Sequence, residues 1–493
     1  MLKVVLTIPP YSFEETYPDF MFKSRKLGKG YGAIPGATAP LGTLYVAAVL
    51  RNDGHDVSFI DGVFYSEDEW FKKIKKLNPH FVGINTVSVF WEKTKRLSKK
   101  LKEEIPELKI GIGGAHVTGI GPSLLTEKNS ESIDFLFLGE SEYTTRDFLR
   151  SLESKKIDKL KSIKPKWGPS DVWRYSTVCW REKKKLRMLK KQTPSKNLDE
   201  LPFPARDLSP MGNYCPSIGF YKKKPHATIW ASRGCVFNCS FCTSKRIYRE
   251  RSVGSIMDEI RYLVSEYNIR DIFFYDNNIV YNRSRLETLC KKLIDADMDL
   301  VWSAQTRVTD VDEKILKLMR RAGCWRLCYG IETPSSNFLK NIRKGINANS
   351  TSRAIGITKK AGIEIFGAFI IGMPGENIEH MKKTIDFACS LPLDYAKFNI
   401  FTPFPDSRDY HLLKDKGVKV SDKFTQHFVT FEFDGLTKEE IEKFVEESYW
   451  KFYSRPRYLL KRFLMTRSLS DLGRNFRGFT AFLIRNKKIE FIP

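Results

Sequence analysis

The pattern of apolar and polar positions predicts alternating strands and helices from the start of the chain to about residue 150. Short apolar runs are separated by segments with helical spacing, such as Leu41–Asn52, which ends at Gly54. The strands predicted from the runs are Val4–Ile8, Val57–Asp61, Phe81–Asn85, Leu108–Ile112 and Phe135–Leu138. This alternation predicts an α/β domain over residues 1–150 that is built on a doubly wound parallel sheet.

After residue 150 the alternation stops and then returns. Residues 151–225 are polar and lysine-rich, and they predict a connector with a small β-ribbon. Residues 226–410 alternate again, and the predicted strands are Thr228–Ser232, Asp271–Tyr275, Leu300–Ala304, Trp325–Ile331, Glu364–Ile371 and Ala396–Phe401. Such β/α units predict a partial (β/α)6 barrel. Residues 411–493 predict a basic, helical C-terminal tail that contains an amphipathic helix at Thr437–Tyr453.

Glycine and polar residues follow the predicted strands of the first domain. Open parallel sheets bind their ligands at the carboxyl ends of the strands. Small residues at such an end let a ligand approach the backbone closely. We therefore expect the first domain to hold its ligand with the residues at these ends, which are Pro9, Thr86, Gly113, Gly114, His116, Gly139 and Glu140.

Composition limits the class of partner and the compartment. The 493 residues carry a formal net charge of +25, which favours anionic partners and is equally compatible with a solvated, lysine-rich surface. No basic segment is interleaved with aromatic residues, so nucleic acid is not expected as a partner. We find neither a signal peptide nor an apolar run of membrane-spanning length, which predicts a cytoplasmic protein. The nine cysteines then indicate metal ligands or buried thiols rather than disulfides.

Three cysteines lie close together directly after a predicted barrel strand. Cys235, Cys239 and Cys242 have the spacing Cys-x3-Cys-x2-Cys, at the end of the barrel where such folds carry out chemistry. Thiolates bind iron–sulfur clusters or zinc, but structural zinc sites use four ligands and no fourth Cys or His is near in the sequence. Three ligands on a four-iron cluster leave one iron open for a substrate. The alternatives are a zinc site with a remote fourth ligand and three incidental thiols.

The remaining cysteines are interpreted as structural. Cys324 and Cys328 lie on one apolar predicted strand, with a spacing that directs both side chains to the same side, as expected of buried thiols. The others are isolated in the sequence: Cys179, Cys215, Cys290 and Cys389.

The cysteine motif, with Phe241 before its last cysteine, resembles the signature of radical S-adenosylmethionine enzymes. The resemblance implies that Cys235, Cys239 and Cys242 hold a [4Fe-4S] cluster, that Phe241 lies beside the cofactor, and that the open iron binds S-adenosylmethionine. Reduction of the cluster, by an electron donor such as flavodoxin or ferredoxin, then releases a 5′-deoxyadenosyl radical. The protein positions the reacting groups.

Later segments resemble the same family at the ends of the barrel strands. The resemblance implies that Asp276 binds the amino group of the methionine moiety, although a turn or a helix cap is an equal alternative for this residue. Ser303 and Arg307 are expected to meet the ribose or the carboxylate. Glu332, in a Gly-Ile-Glu-Thr element, and Gly372, in a tight loop near the adenine, complete the implied cofactor site.

The first domain resembles the Rossmann-like cobalamin-binding domain that is fused to many radical enzymes, on the segments Gly113–Thr118 and Gly139–Glu142. The Asp-x-His-x-x-Gly signature of other cobalamin proteins is absent, since Val57 follows Asp56. The resemblance therefore implies cobalamin whose lower axial ligand is water or nothing. The alternative is a similar domain that binds no corrin, in which His116 caps a helix.

Together these resemblances imply a cobalamin-dependent radical enzyme that transfers a methyl group to an unactivated carbon or phosphorus centre of a small molecule or lipid. Oxidative ring closure, as in the anaerobic magnesium-protoporphyrin monomethyl ester cyclase, is an alternative, because the segment Lys451–Tyr458 resembles both subgroups. A non-catalytic cobalamin or iron–sulfur binding protein is a third interpretation. We expect the amphipathic helix to pack against the barrel, with peripheral contact to an anionic membrane as the alternative.

Overall fold

The computed structural model describes residues 1–11, 37–154, 162–168, 171–172, 174–183, 185–214, 221–244, 247–421, 429–431 and 435–464, with side chains up to residue 460. Cys215 and the predicted tail beyond residue 464 lie outside the described residues. In the described part of the chain, the strands form two large sheets and one short antiparallel pair.

The first sheet contains five parallel strands in the order β2-β1-β3-β4-β5. These strands are β1 (Lys3–Ile8), β2 (Asp56–Asp61), β3 (Phe81–Asn85), β4 (Lys109–Gly113) and β5 (Phe135–Leu138). Its helices are α1 (Leu41–Asn52), α2 (Glu67–Leu77), α3 (Trp91–Glu104), α4 (Ala115–Ile120) and α5 (Glu142–Glu153). Helices α1 and α5 pack on one face of the sheet and α2, α3 and α4 pack on the other, because the strands are apolar on both sides. The predicted doubly wound parallel sheet is confirmed.

The segment after α5 extends this sheet. It contributes β6 (Ser162–Ile163), β7 (Thr177–Glu182) and β8 (Lys185–Leu189). Strand β7 pairs antiparallel with β5, and β8 and β6 follow it, so the described part of the sheet has eight strands. This β-ribbon covers the edge of β5, which would otherwise expose unpaired backbone groups.

The second sheet is a partial barrel of parallel strands arranged in sequence order. Its strands are β9 (His226–Ile229), β12 (Asp271–Phe274), β13 (Val301–Thr306), β14 (Cys324–Glu332), β15 (Glu364–Ile371) and β16 (Tyr395–Ile400). A short pair, β10 (Ser232–Arg233) and β11 (Arg249–Glu250), brackets the cysteine segment. The helices are α6 (Val253–Tyr267), α7 (Arg283–Asp295), α8 (Glu313–Arg321), α9 (Ser336–Asn341), α10 (Ala348–Lys360), α11 (Ile378–Ser390) and α12 (Arg408–Asp415). The predicted partial (β/α)6 barrel is confirmed.

The inner face of the barrel is accessible, whereas its outer face is closed. On β16, Ala396, Phe398 and Ile400 point outward and are each 2% exposed, because they pack in the main apolar core with the helices. The residues between them point inward and stay partly accessible. We call this inner space the barrel lumen; its accessible lining includes Gln305, Cys328, Phe366, Tyr395, Lys397 and Asn399.

A bulge in β14 separates Cys324 from Cys328. The pairing of β14 with β13 shifts by one residue around Trp325. Cys324 therefore lies in the outer core, fully buried, while Cys328 lies on the accessible inner face. The prediction that both thiols point to the same side is wrong, because a bulge reverses the alternation of side chains beyond it.

The amphipathic helix closes the free edge of the barrel. Helix α13 (Lys438–Tyr453) begins after a capping box formed by Thr437, and α14 (Pro456–Leu464) follows it. The hydroxyl group of Tyr449 bridges the N–H and C=O of Phe398, and the hydroxyl of Tyr453 does the same for Ala396. These contacts satisfy edge groups of β16 that no strand pairs with among the described residues. No helix among the described residues is long and apolar enough to cross a membrane.

The carboxyl ends of the two sheets face each other. Gly119 of α4 lies beside Pro405 and Asp406, which follow the last barrel strand. Tyr45 of α1 stacks on Trp230, directly after β9, with ring centroids 5.6 Å apart. Residues predicted at both sets of strand ends therefore line one interdomain region.

Candidate active site

The loop with the three cysteines begins at Gly234, whose φ of +82° favours glycine, and runs between β10 and β11. Ser240 anchors its middle: its N–H donates to the carbonyl of Ile342 at 2.9 Å, and its hydroxyl donates to Asp409 at 2.9 Å. Cys235, Cys239 and Cys242 are all free thiols and all partly accessible, unlike the core cysteines.

Positive side chains surround these thiols. The Arg307 guanidinium lies 3.7 Å from Cys239 Sγ and also packs over the Phe237 ring. Burial raises the pKa of the Cys235 and Cys242 thiols and the neighbouring thiols raise it further, while the charge of Arg307 lowers it for Cys235 and that of Lys344 for Cys242. The site therefore favours thiolates once positive metal charge is added.

The donor set fits an iron–sulfur cluster. It offers three soft ligands in one anchored loop, and cations to balance the negative charge of a thiolate-bound cluster. Among the described residues, no three His, Cys, Asp or Glu side chains converge closely enough to hold one metal ion. The thiols of a cluster each bind a different iron, so they are spread more widely than the ligands of a single zinc.

Asp276 follows β12 and is completely buried. One carboxylate oxygen accepts from the Ala231 N–H at 2.8 Å, and the other accepts from the Ser232 hydroxyl. Burial raises the pKa of Asp276 to about 6. Its hydrogen bonds go to the segment that leads into the cysteine loop, and Arg285 of α7 lies 4.0 Å from its second oxygen, so it positions that loop.

Ser303 and Arg307 lie at different depths of the barrel. Strand β13 runs to Thr306, two residues further than predicted, so Ser303 lies inside the strand and is 2% exposed. The sequence placed it at a strand end because the apolar run stops at Ala304, whereas sheet pairing continues beyond that run. Arg307 is at the true end, beside the cysteine loop.

Glu332 ends β14 with a φ of +64°, a strained value for a residue with a side chain. Its carboxylate forms a buried ion pair with Lys344, which comes from the segment after α9. The ammonium of Lys344 also lies 5.7 Å from the Phe241 ring, next to the last cysteine. Glu332 and Phe241 are thus brought together with Arg307, whose guanidinium donates to the Lys344 carbonyl.

Gly372 forms a tight turn after β15 with a φ of +77°. Its N–H and that of Met373 both donate to one oxygen of Glu376, at 2.7 and 2.9 Å. Burial raises the pKa of Glu376 to about 7. Sequence reasoning missed this carboxylate, although its place four residues after Gly372 is the signal that could have found it.

In the first sheet, most of the predicted ligand residues contact the protein itself. Pro9 is buried against Gly62, where a Cβ would collide with the backbone after β1. The Thr86 hydroxyl bonds to Thr94 at 2.8 Å. His116 is 6% exposed, with Nδ1 3.0 Å from the hydroxyl of Ser88.

The glycines of this edge serve the packing of the chain. Gly114 has a φ of +109°, and a Cβ there would collide with Asn85 and Thr86. Gly139 has a φ of +82°, and a Cβ there would collide with the backbone of Tyr175. Gly113 is the exception, because it is partly accessible and a Cβ there would make only ordinary contacts.

Glu140 bridges the two sheets. Its carboxylate accepts from Arg249 and from Arg233 (2.8 Å), and Arg233 also donates to Glu142 at 2.7 Å. Burial alone would raise the pKa of Glu140, but the charges of Arg233 and Arg249 outweigh it and lower the pKa. Arg233 is two residues before Cys235, so this network fixes the cysteine loop to the first sheet. No sequence signal identified either arginine.

Apolar side chains remain exposed at this edge. Val87 and Val89, in the loop after β3, are 43% and 39% exposed, although they are apolar. With the partly accessible Gly113, they leave apolar side chains and open backbone at this edge, which a flat, apolar ring can contact. The residues present therefore fit cobalamin, which Val87, Val89 and Gly113 would contact.

Two family models match the chain. Residues 231–388 match the radical SAM superfamily, and residues 31–149 match the B12 binding domain. The first match contains the cysteine loop and strands β12 to β15, and the second contains strands β2 to β5 of the first sheet.

Individual proteins are similar over most of the chain. An uncharacterized methyltransferase of Pyrococcus horikoshii is 33% identical over 443 residues, which cover 87% of this chain and 91% of the relative. The anaerobic magnesium-protoporphyrin IX monomethyl ester cyclase of Rubrivivax gelatinosus is 28% identical over 442 residues, or 87% of this chain and 76% of that protein. The solved structure of the cobalamin-dependent S-adenosylmethionine radical enzyme OxsB has the same fold, with a TM-score of 0.68 at 15% identity over 99% of this chain and 75% of that one.

Proposed function

The chain belongs to the family of cobalamin-binding radical S-adenosylmethionine methyltransferases, and we propose that it transfers a methyl group to an unactivated carbon or phosphorus centre of a small molecule. When bound, the cluster supplies the electron that cleaves S-adenosylmethionine, and cobalamin carries the methyl group. The observation that carries the proposal is that Arg233 ties the cysteine loop to the carboxyl edge of the first sheet. Both cofactor sites are thus held against one interdomain region.

The residues around the cysteine loop have distinct roles in this proposal. Cys235, Cys239 and Cys242 hold the cluster, and Arg307 and Lys344 balance its charge. The buried pair of Glu332 and Lys344 fixes the second cation, because a buried ion pair costs several kcal/mol to break. The positions of these charges are therefore set before any cofactor binds.

Oxidative ring closure is the second candidate. It is supported by the 28% identity to the magnesium-protoporphyrin cyclase, which extends over 87% of this chain. The two reactions differ in one product, because only methyl transfer converts S-adenosylmethionine to S-adenosylhomocysteine.

The proposed partners are a small-molecule substrate and an electron donor such as flavodoxin or ferredoxin. Contact with an anionic membrane stays a prediction for the α13–α14 region. The apolar face of α13 is buried on the barrel, but Trp450 and Leu460 are 46% and 60% exposed. Flotation with anionic liposomes tests this contact.

The decisive experiment is anaerobic. The protein is reconstituted with iron, sulfide and cobalamin, mixed with dithionite, S-adenosylmethionine and a small-molecule extract, and the products are measured by mass spectrometry. We expect 5′-deoxyadenosine together with S-adenosylhomocysteine. Cys239→Ala should abolish 5′-deoxyadenosine, because the cluster loses one of its three protein ligands.

Cys389→Ala is the matched control. Cys389 is also a partly accessible free thiol, but it lies near Arg455, outside the cysteine loop. This variant should keep both products. Intact S-adenosylmethionine beside an intact cluster would contradict the proposed function, and 5′-deoxyadenosine without S-adenosylhomocysteine would favour ring closure.

A further inference from the structure

One cation of the barrel lumen differs from the others in its partners. Arg307 donates to the Lys344 carbonyl, Arg326 pairs with Glu364 at 2.7 Å, and Lys344 pairs with Glu332. Lys397 lies on the inner face of β16, and no described residue forms an ion pair or hydrogen bond with its ammonium group. Burial lowers the pKa of Lys397, and no described carboxylate opposes that effect.

A second unsatisfied polar group lies on the same face of the same strand. Asn399 follows two residues after Lys397, and its Oδ1 is buried without a hydrogen-bond partner among the described residues. Its Nδ2 makes only a long contact of 3.4 Å to the Phe369 carbonyl. A buried acceptor without a donor costs free energy that a ligand can recover.

The inner position next to Lys397 carries a small side chain. Across the sheet, Lys397 is in register with Ala368, whose side chain is a single methyl group, and Ala368 is in register with Gly330. At Gly330 the inner space is occupied by the Glu332 carboxylate and the Lys344 ammonium group. One layer deeper, the rings of Phe366 and Tyr395 stack with centroids 6.5 Å apart and stay partly accessible. The Arg326 guanidinium, which is paired with Glu364, lies 4.3 Å from the centre of the Tyr395 ring, whereas no described carboxylate pairs with Lys397.

The strand that carries Lys397 is held rigidly. The tyrosine hydroxyls of α13 bridge the backbone of both its neighbours, Ala396 and Phe398, from outside the barrel. The row from Lys397 through Ala368 to Gly330 leads on to the end of β13, where Arg307 touches Cys239. At strand spacing, the backbones of Lys397 and Arg307 are about 14 Å apart along this row, and the Glu332–Lys344 ion pair lies over Gly330 between them.

We propose that the substrate carries a carboxylate or phosphate group that Lys397 binds in the barrel lumen. A second polar group of the same substrate donates a hydrogen bond to Oδ1 of Asn399. This rests on the proposed function, because it names the substrate class of the same site. The anion would give Lys397 a negatively charged partner, as Glu364 is for Arg326 and Glu332 is for Lys344. The apolar part of the substrate then lies on Phe366 and Tyr395.

The test measures the reactivity of Lys397 in the reconstituted holoprotein under anaerobic conditions. A short pulse of an amine-acetylating reagent is followed by peptide mass spectrometry. Separate samples contain benzoate, phenyl phosphate, neutral benzyl alcohol or S-adenosylmethionine in millimolar excess. We expect benzoate or phenyl phosphate to slow the acetylation of Lys397 by about tenfold or more, because a bound anion blocks the amine. The anion that slows the acetylation more strongly shows whether the site prefers a carboxylate or a phosphate group. Exposed Lys360 on α10 is the internal control, and its rate should not change.

Four results would overturn the proposal. Equal protection by benzyl alcohol would show apolar binding alone, and no protection by either anion would show that Lys397 binds none. Protection by S-adenosylmethionine alone would assign the lysine to the cosubstrate, and no acetylation at all would show that the ammonium is closed to ligands. The measurement needs no turnover, so it can fail while 5′-deoxyadenosine and S-adenosylhomocysteine still form.

Discussion

The carboxyl ends of the two sheets face each other, yet the protein uses them differently. At the end of the barrel, Arg307 and Lys344 converge on thiols that stay partly accessible. At the end of the first sheet, the equivalent positions are filled by the chain itself: Gly139 touches the connector, and Glu140 pairs with arginines of the barrel.

This difference limits what the position of a residue at a strand end can predict. The rule that ligands bind at carboxyl ends locates the region correctly in both sheets. It does not tell whether a polar side chain there faces a ligand or another part of the protein. In the first sheet the exposed surface is apolar, at Val87 and Val89, and the polar residues hold the domains together.

Replacing Arg233 with Gln should have the largest effect, because it removes the bridge between the two sets of strand ends. Glu140 and Glu142 would lose a shared cation while they stay buried. Breaking a buried ion pair from one side costs about 3–5 kcal/mol. We expect a lower free energy of unfolding in denaturant titrations and less iron retained after reconstitution, since Arg233 precedes Cys235.

Arg283→Gln is the matched control. Arg283 also pairs with a carboxylate, Asp312, but both side chains are substantially exposed. Exposed pairs contribute roughly 0–1 kcal/mol, so this variant should keep its stability and its iron. A similar, small loss in both variants would mean that the bridge does not hold the cysteine loop.

The next largest effect on stability is expected from two buried aspartates, Asp276 and Asp61. Burial raises the pKa of Asp276, at the barrel, and of Asp61, at the end of β2, to about 6 each. The unfolded pKa is about 4, so between these values the folded protein keeps protons that the unfolded chain has lost. Stability should therefore fall as the pH rises from about 4 to about 6, by roughly 3 kcal/mol per aspartate.

Asp276→Asn and Asp61→Asn should each remove part of this pH dependence. The amide is neutral throughout, and its oxygen can still accept the backbone N–H of Ala231 or Val63. Unfolding titrations at pH 4, 5, 6 and 7 measure the slope. Only Asp276→Asn should also lower the retention of iron, because only Asp276 contacts the segment before the cysteine loop. An unchanged slope in both variants would contradict the raised pKa values.

The elements of the fold could be predicted because their patterns are local. Glu364–Ile371 and Phe135–Leu138 match the predicted strands residue for residue, since each is a short and almost entirely apolar run. The bulge at Trp325 could not be predicted, because it depends on pairing with a strand elsewhere in the chain. The prediction that β13 ends at Ala304 was wrong for the same reason.

The candidate site was predictable only as far as its ligands are close in sequence. The cysteine motif is compact, so its spacing, together with its resemblance to a known signature, indicated a cluster. Lys344, Arg233 and Arg249 act through contacts between distant segments, and a lysine or arginine in a loop carries no sign of its partner. The interdomain role of Glu140 was missed because its partners lie about a hundred residues away.

The smallest effect is expected at His116, which tests whether the first sheet supplies a ligand to cobalt. The imidazole is buried, its Nδ1 bonds to Ser88, and its ring packs against Trp91 at 5.1 Å. We therefore expect the electron paramagnetic resonance spectrum of the Co(II) holoprotein to show no nitrogen splitting that depends on His116. His116→Phe should leave that spectrum unchanged and cost about 1 kcal/mol of stability, from the lost hydrogen bond.

Free imidazole added to the same sample is the control, because its binding to cobalt would introduce the splitting and show that the measurement can detect it. Nitrogen splitting in the untreated protein that disappears in His116→Phe would contradict the comparison between the two sheets. It would make His116 a ligand, and the polar end of the first sheet would then hold its cofactor directly, as the barrel does. An unchanged spectrum instead leaves the apolar surface at Val87 and Val89 as the contact for the corrin, and their replacement by Asp should then lower the cobalamin retained after desalting.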